Sequence, residues 1–126
     1  MEGDTCKISR WQVLKSQLNN LTPQEFRALI PKTENAVVLD VRTHQEYIGG
    51  HLFDAINIDY LSYDFWERIE SLDPEKSYFV YCRSGRRSMR TCTLMHNGGF
   101  SNIFNLERGL NVWEQVFEVT NDSIQK

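Results

Sequence analysis

The sequence predicts an α/β domain built on a mostly parallel sheet. Short apolar runs alternate along the chain with segments whose apolar residues recur at helical spacing. Two of the runs, at 36–39 and 78–81, are continuously apolar or aromatic, which is typical of strands covered on both faces. Because alternating strands and helices give parallel strands joined by crossover helices, this pattern indicates the fold class.

Composition and charge narrow the function classes. The chain has 126 residues, 40% of them apolar, which suits one domain with its own core. A net charge of −3 does not favour a nucleic-acid partner, and no apolar run approaches the roughly 18 residues that span a membrane. Three cysteines, Cys6, Cys82 and Cys92, are too few for a disulfide framework, and the polar N-terminus does not resemble a signal peptide. We therefore expect a cytoplasmic protein without membrane or nucleic-acid partners.

Residues 1–20 carry two competing patterns. The apolar side chains of Trp11, Leu14, Leu18 and Leu21 are spaced for a helix, but a short strand just before Leu21 fits equally well. This range is therefore left as an N-terminal segment of uncertain structure.

Capping signals mark the helices of the first half. Residues 22–25 and 43–46 both have the Thr-x-x-Glu pattern of a capping box, the first with proline at the opening helical position. Pro31 is expected to end the first helix, and the glycines at 49–50 the second. A short strand is predicted at 55–58.

The same alternation continues in the second half. The elements expected there are, in order, a helix at 65–72, the strand at 78–81, a helix ending at the glycines 98–99, a last strand at 102–105 and a closing helix whose apolar face is Leu110, Trp113 and Phe117.

A cysteine lies in a basic loop directly after the strand at 78–81. Residues 82–88 read Cys-Arg-Ser-Gly-Arg-Arg-Ser, and a helical segment follows at once. A cysteine attacks as its thiolate. The arginines, the loop N–H groups and the positive end of the next helix all favour that anion, and would hold an anionic substrate near the sulfur. The sequence therefore predicts an active site centred on Cys82.

Other loops are expected beside this one. In parallel sheets the loops at the carboxyl ends of the strands share one edge, where ligands bind. The loops at 40–42, 59–62, 82–87 and 106–109 should meet there. The site is thus assembled from segments far apart in the chain.

At this point the motifs resemble those of rhodanese-type domains. The matching segments are 39–42 (Leu-Asp-Val-Arg), 46–47 (Glu-Tyr), 50–52 (Gly-His-Leu), 55–58 (Ala-Ile-Asn-Ile), the catalytic loop at 81–88, and then 99–100, 105–106 and 109–113. The resemblance spans about residues 20–115. It predicts one such domain at 21–118, with a tail at 119–126, and a sheet of about five strands with helices on both faces.

The resemblance implies a sulfurtransferase that works without a cofactor or a metal ion. The family cysteine takes the outer sulfur of a donor such as thiosulfate, becomes a persulfide and passes that sulfur to a thiophilic acceptor. Carried over by position, Cys82 is the nucleophile. The substrate-binding residues are Arg83, Ser84, Gly85, Arg86, Arg87 and Ser88, the last at the start of the following helix. The implied partners are a small anionic sulfur donor and a thiol or protein acceptor.

Residues outside the loop are interpreted as supports. Arg42 and Glu46 are four residues apart and are expected to form an ion pair, while Asp40 bonds loop N–H groups. His51 is expected to make a structural hydrogen bond. Arg108, where the family usually has glycine, would add positive charge to the rim of the pocket or partly close it.

Two further positions depart from the family pattern. Asp54 stands where glycine is usual, and aspartate tolerates the left-handed backbone that such a position can require. Asp59 stands where proline is common. Neither change removes the nucleophile, but both put the donor preference in question.

Alternative functions remain open at this point. The related dual-specificity phosphatases have five residues between cysteine and arginine, whereas here that position is Ser88, which favours sulfur transfer. Cys82 could instead be an inert core thiol, or the arginine run a docking patch in a non-catalytic sulfur relay. Cys92 is expected to pack in the core without a redox role, and Cys82, Cys92 and His96 match no structural zinc spacing.

Overall fold

A computed structural model describes residues 19–117 and 124–125. The strands are β1 (Asn19–Leu21), β2 (Ala36–Asp40), β3 (His51–Leu52), β4 (Ile56–Asn57), β5 (Ser77–Tyr81), β6 (Asn102–Leu106) and β7 (Ile124–Gln125). The helices are α1 (Pro23–Leu29), α2 (His44–Ile48), α3 (Phe65–Glu70), α4 (Arg86–Asn97) and α5 (Gly109–Val116), and a 3-10 turn, Ile30–Lys32, follows α1.

The main sheet has five parallel strands in the order β1-β6-β5-β2-β4. Strand β5 lies at its centre and pairs with both β2 and β6. The predicted α/β class with a mostly parallel sheet is confirmed. Strands β3 and β7 were not predicted; they have two residues each and form a separate antiparallel pair.

Only part of the predictions for the chain ends concerns residues that the structure describes. Of the two patterns before Leu21, the strand is the one found, as β1. Cys6, Trp11, Leu14 and Leu18 lie outside the described residues, as does most of the predicted tail at 119–126.

Both predicted capping boxes are present. Thr22 Oγ1 accepts the N–H of Glu25, and Glu25 Oε1 accepts the N–H of Thr22. Thr43 and Glu46 repeat this arrangement at the start of α2. Such reciprocal bonds satisfy N–H groups that have no partner inside the helix, which fixes where each helix begins.

Helices cover both faces of the sheet, and β5 shows how the two cores divide. Tyr78 and Val80 lie in one buried cluster, which side chains from α3 and α4 complete. Phe79 and Tyr81 point the other way, into a cluster completed by α1 and α5. All five residues of β5 are buried, which explains its continuous apolar run. Within the described residues, no helix is both long and apolar enough to cross a bilayer.

Candidate active site

The basic loop follows the central strand of the sheet. Cys82 comes directly after β5, and its neighbours at the same edge are the ends of β2 and β6. This is the position expected for a site at the carboxyl ends of parallel strands.

The loop closes around the sulfur of Cys82. Sγ lies 3.1 Å from the N–H nitrogen of Gly85 and 3.4 Å from that of Ser88, and both groups donate to it. Ser88 Oγ lies 3.5 Å from Sγ and donates to the Gly85 carbonyl. Gly85 has φ +93°, a left-handed conformation natural to glycine. The side chain of Cys82 is fully buried, so loop N–H groups surround the sulfur in place of water.

Helix α5 holds the loop from the other side. The N–H groups of Leu110 and Asn111 donate to the carbonyls of Cys82 and Arg83, each at 3.0 Å. A Cβ at Gly109 would lie 2.3 Å from the Cys82 carbonyl oxygen, so only glycine permits this approach. Gly109 also has φ +61°. Sequence reasoning placed Gly109 at the edge but missed this role, because the contact depends on two elements meeting in space.

The arginines of the loop differ in their ion pairs. Arg83 pairs with Glu114 at 3.1 Å, and Arg87 pairs with Glu46 at 3.5 Å. Burial alone would raise the pKa of Glu46, but hydrogen bonds from Thr43 and the charge of Arg87 lower it below its ordinary value. Arg86, by contrast, has no ion pair with any residue of the described chain.

The predicted ion pair between Arg42 and Glu46 is wrong. Arg42 pairs with Asp40 instead, through Nη2 and Oδ2 at 2.7 Å, and both side chains are almost fully buried. The i, i+4 rule does not apply because α2 begins at His44, after Arg42. Asp40 does bond a loop N–H, that of Arg42, at 2.8 Å.

Tyr81 belongs to the same buried network, which the sequence did not indicate. Its hydroxyl donates to Asp40 Oδ2 at 2.7 Å and accepts the N–H of Leu52 at 3.0 Å. Burial, and then the charge of Asp40, raise the pKa of Tyr81 well above its ordinary value. Burial alone would lower the pKa of Arg42, but the hydrogen bond and charge of Asp40 raise it. The network holds the end of β2 in place beside the basic loop that surrounds Cys82 Sγ.

Replacing Arg42 with methionine is expected to lower the free energy of unfolding by about 3–5 kcal/mol, because Asp40 would remain buried without its counter-ion. Urea unfolding measures the loss. Arg83→Met is the matched control, since it breaks a pair whose side chains are 39% and 37% exposed. Exposed pairs contribute only ~0–1 kcal/mol. Equal losses in the two variants would contradict the structural role given to Arg42.

Two clefts adjoin the loop and share Ser84 and Arg86. The larger, called here the Arg108 cleft, has a volume of about 560 Å³ and is lined by Ser84, Gly85, Arg86, Met89, Asn105, Glu107 and Arg108. The smaller is lined by Ser84, Arg86, Arg87 and Arg90. Arg108 thus lies at the rim of a cleft, where the sequence placed it.

The other departures from the family pattern have local explanations. The left-handed residue near position 54 is Phe53, with φ +46°, and not Asp54. Asp59 accepts the N–H groups of His44 and Leu61, at 3.0 and 2.8 Å. His51 makes the expected structural contact, with Nδ1 3.0 Å from the Tyr47 carbonyl oxygen.

Cys92 is a buried core residue on α4, as expected. Burial raises the pKa of its thiol far above the ordinary value, which keeps it protonated. Among the described residues no cluster of histidine, cysteine or acidic side chains is suited to hold a metal ion.

A family model and several known proteins match most of the chain. The family model of the rhodanese-like domain matches residues 22–116. The chain is 32% identical over 98 residues to the putative sulfurtransferase YtwF of Bacillus subtilis, covering 78% of this chain and 92% of that protein. It is 28% identical over 102 residues to the thiosulfate sulfurtransferase GlpE of Pseudomonas entomophila, covering 81% and 90%.

Solved structures of rhodanese-like proteins also match the fold of this chain. A rhodanese-related protein from Thermoplasma volcanium matches with a TM-score of 0.68 at 28% identity, covering 78% of this chain and 92% of that one. A rhodanese-like domain protein from Staphylococcus aureus has a TM-score of 0.66 at 22% identity, covering 76% and 91%. At that identity the second likeness concerns the fold alone.

Proposed function

Because the chain belongs to the rhodanese-like domain family, we propose that it is a sulfurtransferase in which Cys82 carries the sulfur as a persulfide. The donor is thiosulfate or a similar anion, and the acceptor is a thiophile. Relatives named as sulfurtransferases support this at the family level. The assignment to Cys82 rests on the geometry of its loop.

The single observation that carries the proposal is the set of donors around Cys82 Sγ. Two N–H groups, those of Gly85 and Ser88, donate to a fully buried sulfur at 3.1 and 3.4 Å. A buried anion is costly unless donors surround it. Donors fixed by the backbone need no reorganisation during the reaction. The loop therefore suits a sulfur that is anionic both as a thiolate and as a persulfide.

The reaction proceeds in two displacements. The Cys82 thiolate attacks the outer sulfur of thiosulfate, and the bond from that sulfur to the sulfonate breaks, releasing sulfite and leaving a persulfide on Cys82. An acceptor nucleophile then attacks the outer sulfur of the persulfide, and Cys82 leaves as the thiolate. No general base is needed, because the thiolate is already the reactive form.

In this mechanism the loop residues have different roles. The N–H groups of Gly85 and Ser88 hold the sulfur. Arg86 and Ser84 line both clefts. Arg83 and Arg87 bring charge that is partly neutralised by Glu114 and Glu46, so the strongest attraction for a donor is expected near Arg86.

Incubation with thiosulfate is expected to add one sulfur atom, about 32 Da, to the intact protein, at Cys82. Subsequent cyanide should remove it, because cyanide is a thiophilic acceptor. Intact mass spectrometry before and after each step measures this, and peptide mapping locates the atom.

Two outcomes would contradict the proposal. If the Cys82 thiol can be alkylated but gains no sulfur from thiosulfate, the proposed sulfurtransferase activity is wrong. A relay module loaded by another protein's persulfide is then favoured. If the protein hydrolyses a phosphotyrosine-like ester and takes up no sulfur, phosphoryl transfer replaces sulfur transfer.

A further inference from the structure

Two energetically costly features lie in the Arg108 cleft, and neither makes a hydrogen bond to the sulfur of Cys82. One is the buried amide of Asn105, and the other is the backbone of Arg108. Strained or unsatisfied groups persist where they serve a function, so their position beside the loop invites a functional explanation.

Asn105 is only 1% exposed, yet its Oδ1 has no hydrogen-bond partner in the described chain. Its Nδ2 donates to Asn20 Oδ1 at 2.9 Å, so the amide is held on one side and unsatisfied on the other. Asn105 lines the Arg108 cleft. An acceptor oxygen in this state is suited to a donor that arrives with a ligand.

Arg108 adopts the left-handed backbone with φ +64°, which favours glycine over a long side chain. Its backbone packs against Gly85, where an added Cβ would lie 2.9 Å from the Arg108 nitrogen. Gly85 in turn donates its N–H to the sulfur of Cys82. A ligand held by Arg108 would therefore lie beside the group that binds the sulfur.

The lining of the cleft offers positive charge together with a hydrogen-bond acceptor. Arg86 and Arg108 supply two guanidiniums, and neither has an ion pair within the part of the chain that the structure describes. Asn105 adds its unsatisfied acceptor oxygen. This combination complements a small molecule that carries both a carboxylate and an ammonium group.

We propose that the Arg108 cleft binds the amino-acid head group of a small thiol that accepts sulfur from Cys82. Arg86 and Arg108 bind the α-carboxylate, and Asn105 Oδ1 accepts a hydrogen bond from the α-ammonium. The acceptor role rests on the proposed function, whereas binding of the head group does not.

The transfer itself is a displacement at sulfur. The thiolate of the bound amino-acid thiol attacks the outer sulfur of the Cys82 persulfide and forms a new sulfur–sulfur bond. The bond between that sulfur and Cys82 Sγ breaks, and its electron pair stays on Cys82 as the thiolate. The products are the persulfide of the amino-acid thiol and the unloaded protein, so no external oxidant or reductant is needed.

A binding test separates the head group from the chemistry. S-methyl-L-cysteine cannot accept sulfur but keeps both charged groups. Its analogues 2-(methylthio)ethylamine and 3-(methylthio)propanoate each lack one of these groups. Titrations followed through the amide NMR signals of Gly85, Arg108 and Gly109 are expected to give a Kd for S-methyl-L-cysteine about tenfold lower than for either analogue.

Variants assign that affinity to the cleft. Arg108→Gly suits the backbone at this position, and Asn105→Leu removes the unsatisfied oxygen; each is expected to raise the Kd about tenfold. Arg108→Lys keeps the charge and should retain most of the binding. Arg90→Ala is the matched control, because Arg90 lines only the smaller cleft, and its Kd should stay within about twofold.

The outcomes separate this inference from the proposed function. Equal affinity for all three ligands, or an unchanged Kd in Arg108→Gly, would overturn the inference even if Cys82 loads sulfur from thiosulfate. Selective binding in a protein that never loads sulfur would support the head-group site and contradict the sulfurtransferase. Transfer from the loaded protein that is faster to L-cysteine than to 3-mercaptopropionate, compared at equal concentrations of thiolate, would support both.

Discussion

Replacing Cys82 with serine is expected to abolish sulfur loading from thiosulfate, a loss on the order of 10³-fold or more. A serine hydroxyl stays protonated near neutral pH and attacks only when a base activates it. In the described residues no histidine or carboxylate makes a hydrogen bond to Cys82; its partners are two N–H groups and the Ser88 hydroxyl. Intact mass spectrometry after incubation with thiosulfate measures the loss.

The variant should remain folded, because a serine oxygen can accept the N–H groups of Gly85 and Ser88 in place of the sulfur. Urea unfolding checks this. Cys92→Ala is the matched control: Cys92 is buried, and its raised pKa keeps it as the neutral thiol, so its removal should leave loading intact. Persistent loading in Cys82→Ser would show that another residue is the nucleophile, and loss of loading in Cys92→Ala would show that the second thiol takes part.

The fold was predictable because its signals are local. The runs at 36–39 and 78–81 are continuously apolar since β2 and β5 are inner strands with helices on both faces. Thr22 and Thr43 cap their helices through residues only three positions away. By contrast, β3 and β7 have two residues each and exist through their pairing with one another, which no local pattern reveals.

The candidate site was predictable to the level of its loop but not of its side-chain partners. The spacing of 82–88 after a strand indicates a candidate nucleophile, and the N–H groups of Gly85 and Ser88 lie around its sulfur. The partners of Arg83 and Arg87 are Glu114 and Glu46, which lie on other elements, so sequence spacing could not identify them. The unsatisfied oxygen of Asn105 is a property of packing and likewise leaves no mark in the sequence.

Gly109 allows α5 to pack closely against the loop that carries Cys82. It opens α5, whose next two N–H groups hold the carbonyls of Cys82 and Arg83. A Cβ at this position would lie 2.3 Å from the Cys82 oxygen and 2.7 Å from the Arg83 oxygen. Both are backbone atoms, so no side chain can move aside to relieve the contact. Either the start of α5 or the loop must shift by something on the order of 1 Å.

Gly109→Ala is therefore expected to lower the free energy of unfolding by about 3 kcal/mol and the rate of sulfur loading by about 10²-fold. The first effect comes from the collision and the strained backbone, the second from displacement of the donors around Cys82 Sγ. Urea unfolding and the time course of the intact mass with thiosulfate measure the two effects separately.

Gly99→Ala distinguishes the collision from backbone strain. Gly99 also has a left-handed conformation, with φ +99°, but nothing lies within 4 Å of an added Cβ. Its substitution should cost only the strain, about 1 kcal/mol, and leave loading unchanged, since Gly99 follows the far end of α4. If both variants lose the same stability and load sulfur equally well, the contact between α5 and the loop does not hold the sulfur site in place. If only Gly109→Ala loses loading, that contact is part of the catalytic geometry.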